Sequence, residues 1–562
     1  MKRLSVLLFG VALFALLPVK AWSQGAYVWY PGNGTHTLYF CYDDQRESKE
    51  GYTYDLNVGS NSPGWLQWGG YIMTVQFDST FVDARPTSTH DWFYNFWALN
   101  TIPTLPILNT SEVTDMGSMF SGCSMLFRPD LSNFDTSKVT DMSYMFEGCG
   151  NTSVLNVSSF NTSNVTNMKG MFYECKMLGD LSLRNFDTSN VTDMSYMFYN
   201  CDNVYFKVHF SNKFNTSKVT NMNSMFFNCH KLSSIGLDLS YFDTSNVKNM
   251  GSMFCNCEYL QNLDLSNFNT SNVTNMSYMF QSCSNLRTLK VSSFNTEKVT
   301  DMTNMFKDCR LLTTLDVSNF NTPSLKNMGS MFSGCSGLTS LDVSNFNTSN
   351  VTNMAYVFNN CSSLTSLDVS NFDTSKATGM GNLFAGCSSL TTLDVSNFNT
   401  ENVTYTSSMF SGCNKLKTLD LSNFNTAKVT NMGSMFANCT LLKTILAGDV
   451  WSTDLVTNST NMFQNCTSLV GSMGTTYNAD HIDAAYAHID GGASNPGYLS
   501  VKVLGDVNWD GNVTIADVTA LIDYLLGLDN TINLSVADCN NDSQVTIADV
   551  TSLIDYILNG QW

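Results

Sequence analysis

At 562 residues the chain is longer than one ordinary hydrophobic core supports, yet only 13% of its residues are charged. It sets 28 Lys and Arg against 47 Asp and Glu, a formal net charge of -19, which argues against nucleic acid and anionic membrane surfaces as partners. Six histidines, and no Ser/His/Asp or Cys/His grouping outside periodic positions, argue against an enzyme.

The N-terminus reads Met1-Lys2-Arg3, an apolar run from Leu4 to Leu17, Pro18, and then Ala21-Trp22-Ser23. This is the pattern of a secretory signal (residues 1-23), cleaved near residues 21-24. The run is too short for a membrane span, and no other transmembrane segment is expected. Residues 24-110 are irregular and aromatic, with Trp29, Trp65, Trp68, Trp92 and Trp97. An open stack of repeats needs an atypical end unit, so a cap is one reading; exposed rings that stack on glycan are the other.

From 111 to 470 one phrase recurs. Cysteines mark its beat, from Cys123, Cys149 and Cys175 through to Cys466, fourteen in all. Most steps are 26 residues; two are 28 and the last is 27. A fixed period of this length predicts a solenoid. Each unit holds L-x-x-L-D-V/L-S-N-F, as at Leu260 to Phe268, and V-T-N-M-x-x-M-F, as at Val429 to Phe436. Their alternation predicts two short strands, joined by an N-T-S-N or D-T-S-K turn. One unit cannot bury its Leu, Val, Met and Phe; stacking units at a strand spacing of ~4.8 Å makes a continuous core. The expected fold is therefore mainly β, about fourteen coils with short strands. Stacked cysteines read as a buried ladder of thiols, with disulfides between neighbouring coils as the alternative. Recurrent Asp residues such as Asp264 and Asp316 form a column because the unit repeats, not because two carboxylates are paired for catalysis.

The string from Asp264 to Cys283, D-L-S-N-F-N-T-S-N-V-T-N-M-S-Y-M-F-Q-S-C, resembles the leucine-rich repeats of the BspA family of bacterial surface proteins. The resemblance extends over roughly residues 75 to 503 and implies a secreted or surface-exposed, non-enzymatic binding protein of the adhesin type.

Residues 471-504 lose the period and read as a second cap and a linker. Residues 505-562 are different material: D-V-N-W-D-G-N-V-T-I-A-D followed by an apolar helical spacing, repeated thirty-two residues later. Oxygen-bearing residues at positions 1, 3, 5, 7, 9 and 12 form a calcium-loop pattern, because a hard cation needs several oxygens from one tight turn. The first loop offers Asp506, Asn508, Asp510, the Asn512 carbonyl, Thr514 and Asp517. The second offers Asp538, Asn540, Asp542, the Gln544 carbonyl, Thr546 and Asp549. Position 6 is Gly511 in the first and Ser543 in the second, so two Ca2+ sites are expected, the second weaker. Val518, Leu521, Ile522 and Leu525, then Val550, Leu553, Ile554 and Ile557, predict one helix after each loop, with no helix entering.

This duplicated loop-helix resembles a type I dockerin. The resemblance implies calcium-dependent docking onto a cohesin-like receptor module and an association with extracellular polysaccharide-degrading assemblies. It assigns receptor contact to Ile515 and Ala516 in one half and to Ile547 and Ala548 in the other, apolar where a Ser-Thr pair is familiar. The sequence thus points to an exported binding protein whose repeats meet an extracellular protein or glycan and whose tail docks it. An accessory subunit of a polysaccharide-degrading complex is the alternative.

Overall fold

The computed structural model describes residues 25-562 apart from 33, 204, 236, 509, 510, 529-531, 533 and 543. The expected signal segment lies outside these residues. The strands are β1 (Gly25–Tyr30), β2 (Thr37–Asp43), β3 (Tyr52–Asp55), β4 (Thr74–Phe77), β5 (Asp180–Ser182), β6 (Lys207–His209), β7 (Asn262–Asp264), β8 (Thr288–Lys290), β9 (Thr418–Leu421), β10 (Thr444–Ala447) and β11 (Leu499–Ser500). Among the described residues two α-helices follow, α1 (Ile515–Leu525) and α2 (Ile547–Asn559).

The repeats stack in register. One residue of each V-T-N/D segment bridges its equivalent in parallel, from Ser88 to Asp115, Asp141 and Asn167 and on, coil by coil, to Asn458. The expected second strand is not extended, however. After the bridge the chain turns twice through the left-handed region, five residues and one residue before each cysteine, as at Tyr144 and Gly148 or Asn304 and Asp308. Gly and Asn hold most of the second of these positions, which suits the residues that enter that region at least cost. Pairing between coils nevertheless survives the turns. The Met116, Ser118, Phe120 and Gly122 amides donate to the carbonyls of Asp141, Ser143, Met145 and Glu147 at 2.7–2.9 Å.

On the opposite side, backbone pairing is intermittent and side chains replace it. Asn319 Nδ2 of S-N-F donates to the Ser292 carbonyl of the preceding coil at 2.7 Å. The buried Thr136 hydroxyl of D-T-S donates to the Asn161 carbonyl of the next coil at 2.9 Å. Within a coil, Asp264 Oδ1 accepts from the Ser266 amide at 3.0 Å, an Asx turn that bends the chain inward. The N-x-S/T triplets recur because the stack consumes their side chains.

Buried Met, Phe, Leu, Val and Cys form one core from the N-terminal sheet to Leu499. Rings of the Phe120–Phe463 column lie 5.3–5.9 Å apart with planes within 15°. Several pairs of the second column, such as Phe134–Phe160 and Phe398–Phe424, stand 6.3–6.5 Å apart with planes within 11°. For near-parallel rings this separation is the local step between coils. Both separations exceed the ~4.8 Å spacing typical of paired strands. The cysteines between these columns are free and buried. Each Sγ points to a carbonyl of the coil before, as Cys335 does to Phe306 at 3.0 Å. Burial pushes the thiols up, Cys175 to about 12.

At the N-terminal end, strands in the order β3-β1-β2-β4 pack on the first coil. Phe96 takes the cysteine position there, and Phe93 begins the ring column, 5.5 Å from Phe120. Trp65 and Trp92 are fully buried, with the indole N–H groups donating to the Trp92 carbonyl and to Asn57 Oδ1. Trp97 and Tyr71 stay exposed. At the far end β11 pairs with β10, and Tyr498 closes the column edge-on against Phe463. Buried Asp490 ties this end together by accepting from the Met473, Thr475, Gly492 and Gly497 amides and from the Thr475 hydroxyl at 2.7–3.3 Å.

Candidate calcium and docking site

The tail has its own core of Val507, Val518, Leu521, Ala537, Cys539, Val550 and Leu553. Val507 and Cys539 both follow the first ligand position of a loop, so each loop is pinned by its second residue. Both helices start at the expected place because Thr514 and Thr546 cap them. Each hydroxyl accepts an amide from two residues on, and the Asp three residues on returns to the Thr amide in a capping box. Sequence reasoning gave these threonines only to the metal; the structure shows them also holding the helix N-termini.

The closing carboxylate of each loop is held by backbone amides. Asp517 and Asp549 are fully buried. Asp517 accepts from the Asn508 amide at 2.9 Å and the Thr514 amide at 2.8 Å. Asp549 accepts from the Asn540 amide at 3.1 Å and the Thr546 amide at 2.8 Å. In the second loop, oxygens of Asp538, Asp542 and Asp549 lie within 4.8 Å of one another. The Asp542 amide donates to Asp538 Oδ1 and Asn540 Oδ1, which turns the loop around that point. The Gln544 amide donates to Asp542 Oδ1 at 2.9 Å.

In the first loop the Gly511 amide donates to Asp506 Oδ2 at 3.0 Å, and Gly511 has φ +84°, as a tight loop requires. Asn508 and Asn512 lie in the same turn, half-buried and exposed respectively. Asp510 and Ser543 lie outside the described residues. A convergent set of carboxylates, one of them fully buried and held by neutral amides, fits a hard divalent cation: the charge it would neutralise is already removed from water.

Ile515 and Ile547 are 68% and 70% exposed, with Ala516 and Ala548 exposed beside them. Burial of Val518, Leu521, Val550 and Leu553 fixes the opposite face of each helix inward. Further apolar residues of the tail are exposed, among them Leu526 and Leu558 at 66% and 74%, which sequence reasoning missed. Their separation of thirty-two residues, equal to the internal repeat, is the signal that could have found them. Among the described residues no helix is long and apolar enough to cross a membrane.

Stack and tail together define a repeat protein with a small, separately cored module of two loop-helix units. The chain belongs to the family described as Mycoplasma protein of unknown function, DUF285, which matches residues 87-210, 179-289, 203-314, 285-391 and 357-477. Residues 504-558 match the dockerin type I domain. Such domains generally bind calcium, and their presence implies a cohesin partner. No curated protein matches the chain. Among solved structures, a leucine-rich repeat protein from Eubacterium ventriosum is similar at 15% identity, covering 55% of this chain and 92% of its own, with a TM-score of 0.27. A leucine rich cell surface protein from Faecalibacterium prausnitzii is similar at 15% identity, covering 69% of this chain and 85% of its own, with a TM-score of 0.22. At such TM-scores the likeness carries no functional weight.

Proposed function

We propose that this is an exported, non-catalytic binding protein of the adhesin type. In this reading, 24-110 caps a solenoid of 26-residue coils at 111-470. Residues 471-504 cap its far end, and the 505-562 module tethers it to a cohesin-like receptor. The observation that carries the reading is the pairing of a long regular stack with a separate small core whose carboxylates converge and whose paired isoleucines stand free. Two Ca2+ ions, held by the residues named above, would order that module and present Ile515, Ala516, Ile547 and Ala548. The repeats, similar to those of BspA-type surface proteins, would meet a matrix or cell-surface ligand. The dockerin match favours a second reading, an accessory subunit of an extracellular polysaccharide-degrading complex.

Pull-down from matrix proteins and from the producing cell's envelope, with and without calcium, tests this. The tether reading expects a receptor captured only with calcium and lost in an Ile515→Asp/Ile547→Asp double variant. Capture that is indifferent to both calcium and the double variant would refute it. Ligands retained by the double variant report on the stack alone, and their source separates adhesin from complex subunit.

A further inference from the structure

The two 28-residue steps run from Cys201 to Cys229 and from Cys229 to Cys257. In both, the added residues fall between the cysteine and the second-column ring: Cys123 to Phe134 is eleven positions, whereas Cys201 to Phe214 and Cys229 to Phe242 are thirteen. The surface opens at this place into two adjoining clefts, of about 630 and 580 Å³, which share Ser234, Leu237 and Asp238. The departure from the period and the concavity coincide. Both clefts are of a size that holds a small ligand rather than a flat protein face.

We infer that these clefts form a binding site for an acidic oligosaccharide, with Arg184 holding its carboxylate. The charges around the clefts are unequally committed. His209 pairs with Asp180 at 2.7 Å, and Lys290 with Asp264 at 2.7 Å. Arg184 is exposed, and its guanidinium has no ion pair or hydrogen bond among the described residues. Its backbone follows β5 by two residues, and its carbonyl accepts from the Ser211 hydroxyl of the next coil at 2.6 Å. A planar guanidinium with free donors selects a carboxylate.

The other groups suit hydroxyls and ring C–H faces. Asp238 Oδ1 accepts the Ser240 amide at 3.0 Å and has no cationic partner among the described residues. Tyr241 is 41% exposed, and the nearly buried Leu239, Leu263 and Phe210 supply apolar lining. One cation, one carboxylate and several neutral donors and acceptors match a chain of sugars that carries a carboxylate among many hydroxyls. An acidic peptide fits less well. Asp238 repels its further carboxylates, and β6 is already paired on both sides, by β5 and by the Val208–Leu237 bridge, leaving no edge for a strand to join.

This assignment rests on reading the stack as the recognition surface and is independent of the tether. Isothermal titration of the full chain with oligogalacturonate, its fully methyl-esterified counterpart, sialyllactose, lactose and polyglutamate tests it, each in calcium and in chelator. At least one carboxylated sugar should bind at least tenfold more tightly than its neutral counterpart, equally with and without calcium. Arg184→Ala should weaken that binding tenfold or more, and Arg184→Lys less. Arg310→Ala, on a regular coil where Arg310 pairs with Asp308 at 3.1 Å, should leave it unchanged. Unchanged melting temperatures would show that the variants are folded. The inference is overturned if neutral sugars bind as well, if Arg184→Ala has no effect, if only polyglutamate binds, or if neither acidic sugar binds at millimolar concentration. Loss of binding in chelator would assign it to the tail.

Discussion

Replacing Phe332 with alanine strikes the middle of the stack. The ring is fully buried, 5.6 Å from Phe306 and 5.9 Å from Phe358, with planes within 8° of each. Truncating a buried Phe costs about 3–5 kcal/mol, and the two stacked ring contacts account for about 0.5–1.5 kcal/mol each within that total. The upper part of the range applies, because the coils cannot close the gap. The Phe306 amide is held on the Met331 carbonyl and the Phe332 amide on the Val357 carbonyl, both at 2.9 Å. A loss of about 4 kcal/mol at one coil of a nearest-neighbour array uncouples the halves rather than weakening the whole evenly. Urea titration followed by tryptophan fluorescence reads both halves, since Trp65 and Trp92 lie at one end and Trp451 at the other. The variant should unfold in two non-coincident steps, while Leu441→Ala, at a residue 49% exposed, should shift stability by no more than about 0.5 kcal/mol. A single transition with a loss below about 1 kcal/mol in Phe332→Ala would refute the reasoning.

Asp490 offers a pH test. Burial alone would raise its carboxyl, but the hydroxyl and amide of Thr475 and the amides of Gly492 and Met473 hold it down to about 2. Its folded value is below the unfolded one, so its stabilisation is complete above the ordinary carboxylate range near 4 and disappears as the pH falls through about 2. Acid unfolding of Asp490→Asn should lack that component and start from a lower stability at pH 7; parallel acid profiles would contradict this. Calcium offers another test. Chelation should melt α1 and α2 and leave the stack intact, because in so small a module metal binding supplies folding energy. Circular dichroism of residues 504-562 with and without calcium checks it, and unchanged helicity in chelator would count against the two-ion reading.

The period of Cys123 to Cys466 made the stack legible in the sequence, because identical units can bury their apolar faces only against one another. The duplicated loop-helix pattern of the tail was legible for a similar reason: oxygen-bearing residues at fixed offsets followed by a helical apolar spacing are a local signal. Thr514 and Thr546 show where that reading stopped, since a side chain suited to a ligand position is equally suited to capping the helix that follows. The supposed second strand failed because left-handed residues such as Tyr144 and Ser330 carry no strong local signal; neighbouring coils hold them in place.

Local order therefore belonged to the sequence: which residues repeat, and where each loop of the tail gives way to a helix. Distance in the chain hid the rest. The Asp490 knot gathers donors from Met473 to Gly497, and the cleft at Arg184 joins coils separated by more than fifty residues. Those features are set by how coils of unequal length settle against each other, a property of the packed stack and of no single unit.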